Sequence, residues 1–178
     1  MQRVGLFLRA VNLAGCRLTS ADFKRALAAA GYPDALTLLA TGNAVISAHS
    51  ADTELEAAIA AGLESTLGQT TEVYARDGAE LAAVMAANPF AAMTRDNPSH
   101  MLVVFLRGDP GAPEVQALRG RIKGREEVAP GPGCLYATYP DGIGESRLTA
   151  AMIERALSLR GTARNWNTVR RMAELISS

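Results

Sequence analysis

The stretch GTARNWNTVRRM, residues 161–172, sets Arg164, Asn165 and Asn167 around Trp166, the one tryptophan of the chain. A guanidinium offers a planar fork of N–H donors that matches phosphate or carboxylate, and an asparagine adds two donors and an acceptor. At the start of a helix these side chains would stand beside free backbone N–H groups and the positive end of the dipole, conditions that favour an anion. A second set lies in YPDGIGESRLT, residues 139–149, where Gly142, Gly144, Ser146 and Arg147 form a glycine-bearing loop running from a strand into a helix. Arg9 and Asn12 at the exit of the first strand, and Asn43 in a hairpin, complete the candidate ligand-binding set if the fold gathers them.

Other chemistries find less support. His49, His100, Cys16 and Cys134 come from separate segments with no paired spacing, so no metal site is expected. Ser146 sits in GESRL, not in a Gly-x-Ser-x-Gly elbow, and neither histidine follows it. No Walker loop and no Gly-x-Gly-x-x-Gly after a strand is present, and no cofactor is expected. A general base would have to be a carboxylate such as Asp141 or Glu145, its pKa raised by burial.

Every candidate also has a plain structural role. Asn165 would cap the last helix, Asn43 and Gly42 would make a tight turn, and Gly142 and Gly144 would shape a loop. Arg147 would pair with Glu145 or Glu154. Trp166, Val169, Ala173 and Ile176 fall at intervals of three and four, which assigns the indole to a buried stripe beneath the polar rim.

The elements that must hold these residues follow from hydrophobic periodicity. RVGLFLRAV alternates as a first strand, with Val4, Leu6, Leu8 and Ala10 on one side and Arg3, Gly5, Phe7 and Arg9 on the other. TSADFKRALAAAG reads as a helix from a Thr19 or Ser20 cap to Gly31, with Phe23, Ala26, Leu27 and Ala30 as its stripe. ALTLLA and AVISA flank the turn TGN as a hairpin. A helix over DTELEAAIAAGLESTLG buries Leu55, Ile59, Gly62 or Leu63, and Leu67, and TTEVYAR is a fourth strand. GAELAAVMAANPF adds a connecting helix that stops before Pro89.

In the second half MLVVFLR is a strand, PEVQALRGRI a helix, EEVAP and CLYATY a hairpin closed by GPG, and SRLTAAMIERALSL a helix. A short extended TAR and a helix from Asn165 finish the chain. The expected fold is α+β: two ferredoxin-like βαββαβ halves with mainly antiparallel sheets, plus a C-terminal helix. The halves divide as 1–88, with the connecting helix, and 89–178. No sequence identity between them is visible.

Composition narrows the class. The formal charge is zero, with 7 Lys and Arg against 10 Asp and Glu in the first hundred residues and 11 against 8 in the rest. That gradient falls short of the basic stripe of a nucleic-acid footprint. Base stacking on an open sheet would rest on Phe7 alone, with packing of that ring in the core as its competitor. Two distant cysteines fit a reducing compartment, and no stretch matches a signal peptide or membrane span. A cytoplasmic protein is expected, as a monomer or weak homodimer.

With the elements placed, the chain resembles a bacterial family of uncharacterised proteins, domain of unknown function 1697. The resemblance rests on LFLRAVNLAG, LATGNAVIS, NPF at 88–90, YPDGIGESRLT and TARNWNTVRRM, in the family's order. Ala10 and Ala14 stand where the family usually has Gly, and Arg147 where it usually has Lys. The resemblance implies an α+β fold with ferredoxin-like parts and no established activity.

The residues therefore carry the functional expectation: binding of an anionic ligand, a nucleotide, a nucleic-acid backbone or a phosphorylated metabolite, at Arg- and Asn-bearing helix N-termini. The alternatives are an enzyme that works without a cofactor, its Arg and Asn residues stabilising charge, and a protein-interaction module without a small ligand.

Overall fold

The computed structural model describes residues 1–9, 18–38, 42–68 and 70–178. Asn12, Ala10, Ala14 and Cys16 lie outside the described residues. The chain divides into two compact units, Met1–Leu81 with Arg171–Ser178, and Ala82–Arg170. The boundaries of this division fall inside the connecting helix and midway along the last one, whereas the sequence reading divides the chain at 88/89.

The first unit runs β1 (Gln2–Arg9), α1 (Ser20–Ala29), β2 (Leu36–Leu38), β3 (Asn43–Ala48), α2 (Thr53–Leu67) and β4 (Glu72–Asp77). Its sheet has the order β2-β3-β1-β4 with antiparallel pairing throughout. Val4, Leu6 and Leu8 face α1 and α2 and pack with Phe23, Leu27, Ile59 and Leu63. Thr19 caps α1 and Asp52 caps α2, each side chain accepting from a backbone N–H three residues on. α2 stops at Gly68, whose φ of +68° suits a residue without Cβ.

α3 (Gly78–Ala86), α4 (Ala91–Asp96) and a 3-10 turn (Pro98–His100) lead into the second βαββαβ set. α4 and the turn have no counterpart in the sequence reading, because six and three residues are too few for periodicity to register. β5 (Met101–Leu106), α5 (Ala112–Arg121), β6 (Glu127–Gly131), β7 (Cys134–Thr138), α6 (Ala150–Leu157) and β8 (Gly161–Asn165) follow, and α7 (Trp166–Ser177) ends the chain. The second sheet has the order β6-β7-β5-β8, again antiparallel. Both units thus share one topology, the ferredoxin-like one. Val104, Leu106, Leu118, Leu135 and Ile153 fill the space between the second sheet and its helices.

Three local expectations are corrected. α6 begins at Ala150, not at Ser146, because the Thr149 hydroxyl accepts from Met152 N and fixes the cap there. Asn43 is the first residue of β3, opposite Leu38 and Phe7, and its Nδ2 donates to Leu38 O at 3.2 Å; it is not a turn residue. In α7 the buried stripe is Trp166, Val169, Met172 and Ile176, with Met172 in the place given to Ala173. Met172 and Ile176 reach the floor of Gly5 on β1, where a Cβ would meet Ile176 Cδ1 at 2.9 Å.

Candidate functional site

In the second unit a cleft of about 600 Å³ opens between two connections, the one after α5 and the one between β7 and α6. The first supplies Ile122, Lys123, Gly124 and Glu126, with Arg121 at the end of α5 beside them. The second supplies Tyr139, Asp141, Gly142, Glu145, Ser146, Arg147 and Leu148, with Met152 from α6 behind them. Gly142 takes φ +97°, which lets the chain turn back towards α6.

Two contacts tie the walls together. Ser146 Oγ donates to Glu126 Oε1 and accepts from Leu148 N at 3.0 Å. Arg125 forms an ion pair with Asp141. The hydrogen bond from Arg125, and secondarily its charge, hold the Asp141 carboxyl below the usual carboxylate value. Tyr139 is buried and donates to Leu148 O at 3.1 Å; burial, with the Glu126 carboxylate adding to it, pushes its phenol up to about 12. The floor made by Ile122, Tyr139, Leu148 and Met152 is apolar.

The cations are differently placed. Arg121, Lys123 and Arg147 are exposed, and none of their side chains makes an ion pair or hydrogen bond with a described residue. Of the acids, Asp141 is held by Arg125 and Glu126 by Ser146, which leaves Glu145 unengaged. Formal charges in the lining cancel, three cations against three carboxylates, so what the cleft offers an anion is a concentration of uncommitted N–H donors.

The candidate residues do not all converge here. Ser146 and Arg147 line the cleft with Gly142; Gly144 sits exposed in the same connection outside the lining. Arg147 pairs with neither Glu145 nor Glu154, and Glu154 accepts from Gly161 N at 2.9 Å instead. Arg9 and Asn43 belong to the first unit, where Arg9 Nη1 meets Glu72 Oε1 at 3.2 Å and Asn43 is buried. Phe7 and its cross-strand neighbour Tyr74 are fully buried, so neither ring offers a face to a base.

Arg164 departs most from expectation. It stands on β8, not at an open helix mouth, and is 9% exposed. The register sets Val103 opposite Arg164 and Phe105 opposite Thr162, which puts both polar residues on the sheet face away from α5 and α6. Its Nη1 donates to Thr162 Oγ1 and to Ala163 O, both at 2.8 Å, and burial lowers the guanidinium pKa to about 10. Asn165 Oδ1 accepts from Thr168 N at 2.9 Å, the cap of α7, and Asn167 is exposed. Trp166 is 8% exposed, in keeping with its place in the stripe.

Sequence reasoning missed Arg121 and Lys123. Arg121 ends α5 in an ordinary basic last turn and Lys123 lies two residues beyond it, and their only distinguishing property is proximity to a connection some twenty residues later, which no local pattern encodes. Among the described residues no group of three His, Cys, Asp or Glu side chains is arranged to hold a metal, and no helix is long and apolar enough to cross a membrane.

The family model for proteins of unknown function DUF1697 matches residues 1–136. The match covers the first wall of the cleft and ends before the second. A solved structure of a conserved bacterial protein from Streptococcus pneumoniae is similar over 98% of this chain and 98% of that one, with a TM-score of 0.72 and 13% identity. That likeness is one of fold. No curated protein matches the chain.

Proposed function

The chain belongs to the DUF1697 family, and from that premise we propose that it binds a phosphorylated small molecule in the cleft between the α5–β6 and β7–α6 connections. One observation carries the reading: Arg121, Lys123 and Arg147 line a single concavity, and none is engaged by another described residue. The volume lies in the range of small-molecule sites, and the apolar floor gives a ligand something to bury besides its charge. The site moves from the mouth of the last helix to this cleft, since capping and burial account for Asn165 and Arg164.

Titration calorimetry with phosphate monoesters and nucleotides tests it. Arg147→Ala weakens binding by about 1.5–3 kcal/mol, the scale of charge-assisted hydrogen bonds, and leaves the melting temperature unchanged. Failure of every phosphorylated compound to bind sinks the proposal.

The Ser146 hydrogen bond to Glu126 favours a second reading, in which the same cleft supports cofactor-free chemistry with a carboxylate positioned to take the hydroxyl proton. Turnover of a bound ester that Ser146→Ala abolishes without weakening binding separates the two. A cytoplasmic location is part of this proposal, supported by two cysteines far apart in the sequence and in no paired motif, which suits a reducing compartment.

A further inference from the structure

The uncommitted groups of the cleft are of two kinds. Beside the three cations stands one carboxylate, Glu145, which is exposed and makes no ion pair or hydrogen bond with a described residue. The other two carboxylates of the lining are engaged, Asp141 by Arg125 and Glu126 by Ser146. A carboxylate accepts hydrogen bonds and donates none. A ligand that uses the whole lining therefore carries N–H donors as well as an anion.

The connection fixes where this acceptor stands. Ser146 N donates to Ile143 O at 3.3 Å, closing a turn with Glu145 in its second half, and the Ser146 side chain is tied to Glu126 on the opposite wall. On the other side of Ser146, Thr149 N donates to Arg147 O at 3.0 Å. Glu145 and Arg147 thus flank a pinned residue, one presenting acceptors and the other donors, on a backbone that does not have to be ordered by the ligand.

The surface beneath them suits a ring. Ile122 and Met152 are half-buried, packed from below against the core of the second unit, and both line the cleft. More of the exposed lining is apolar than polar, and the volume leaves room for a ring system beside a phosphate. A thioether such as that of Met152 makes favourable contacts with aromatic rings.

Among the nucleobases, one fits an adjacent carboxylate. The pairing edge of guanine presents N1–H and N2–H groups side by side, a match for two carboxylate oxygens. Adenine and cytosine each set a ring-nitrogen acceptor beside their amino group, and uracil sets one N–H between two carbonyls, so a carboxylate there meets a repelling lone pair. We propose that the cleft takes a free guanine nucleotide, with its phosphate among Arg121, Lys123 and Arg147 and its base over Ile122 and Met152, the N1–H and N2–H groups donating to Glu145. This inference rests on the anion-binding reading of the cleft and adds the class of ligand and the residue that selects it.

The experiment is calorimetric titration of the full chain with GMP, IMP, AMP and ribose 5-phosphate. GMP binds about tenfold more tightly than AMP, the scale of a two-bond contact to a base edge, and IMP, which lacks the N2 amino group, falls between. Glu145→Ala brings GMP and AMP to one affinity. Deleting a negative charge shifts every phosphate compound alike, so the ratio between the two nucleotides, not either affinity, reads recognition of the base. Glu145→Gln, whose amide also matches adenine, narrows the ratio and serves if the alanine variant does not fold. Arg147→Ala weakens all four compounds and leaves the ratio in place. Equal binding of GMP, AMP and ribose 5-phosphate, with dependence on Arg147 retained, overturns the base site and leaves the anion site standing. A preference for GMP that survives Glu145→Ala overturns the role of Glu145. No binding of any of the four compounds overturns both readings, and binding of a guanine-containing oligonucleotide alone overturns the free nucleotide in favour of a nucleic-acid strand.

Discussion

The ends of β4 and β8 are built alike. In the first unit Ala75 pairs with Leu6, Arg76 Nη1 donates to Ala75 O at 2.6 Å, and Asp77 Oδ1 accepts from Glu80 N at 2.8 Å to cap α3. In the second, Ala163 pairs with Val104, Arg164 Nη1 donates to Ala163 O at 2.8 Å, and Asn165 Oδ1 accepts from Thr168 N to cap α7. The Ala-Arg-Asp of one unit and the Ala-Arg-Asn of the other are one device used twice. Its repetition marks it as part of the fold: an arginine folded back on its own strand, then a side chain that starts a helix. GTARNWN is conspicuous in the sequence because it holds this device together with the Trp166 anchor.

The connections that do not repeat tell the opposite story. Between β3 and α2 the first unit needs only residues 49–52, with Asp52 as the cap, whereas the second spends residues 139–149 on the same step. That longer connection lies against residues 122–126, and the cleft is the space between them. One topology thus carries a closed turn in one unit and a lined concavity in the other, as expected where function resides in connections held by a common scaffold.

The sharpest break in the comparison is at the anchor. Trp166→Ala lowers stability by about 3–5 kcal/mol through loss of a buried aromatic, read by denaturant unfolding, with affinity for phosphate esters preserved in the folded fraction. Next come the paired arginines. Arg164→Ala costs about 1.5–3 kcal/mol, the scale of a hydrogen bond from a charged group, and Arg76→Ala costs more, because it also leaves the buried Glu56 carboxylate, 3.9 Å from Arg76 Nη1, without its cation; neither alters ligand binding. Stability losses in both support a shared structural role; a loss of ligand affinity in Arg164→Ala alone would reinstate the last helix as a site. Smaller again, Asp77→Ala and Asn165→Ala each cost about 1 kcal/mol as lost helix caps.

These residues also show where sequence reading succeeds and where it stops. Alternation in Val4, Leu6 and Leu8, and the caps at Thr19 and Asp52, are local signals, and from such signals the α+β architecture with two antiparallel sheets was legible. The placement of Arg164 was half legible: TAR reads as extended, and strand alternation already sets Thr162 and Arg164 on one face with Ala163 on the other. What local pattern could not supply was that this face is buried. The likeness of the units was hidden because it survives in a few residues, and only the register aligns Ala75 with Ala163. Half of the cleft was legible, since glycine, serine and arginine mark residues 142–147 as a connection with donors. Arg121 and Lys123 were not, because their role depends on a neighbour that only the folded chain provides.

The smallest expected effect concerns the latch between the two walls. Arg125 keeps the Asp141 carboxyl below its ordinary value, chiefly by hydrogen bonding, so the folded state holds that proton less tightly than the unfolded chain does. The stabilisation from this pair is therefore present above the ordinary carboxylate pKa and is lost as pH falls through the lowered folded value. In Arg125→Ala the Asp141 pKa, followed by NMR titration of its carboxyl carbon, rises back to the usual range. At neutral pH the variant leaves Asp141 as an uncompensated charge in the lining, and affinity for a phosphate monoester falls by on the order of twofold, because exposed pairs act through well-screened fields. Raising the salt concentration shrinks the difference between variant and wild type. A loss as large as that of Arg147→Ala, persisting in high salt, would mean that Arg125 touches the ligand itself, and the comparison would then be between a closed turn and a site whose wall includes the latch.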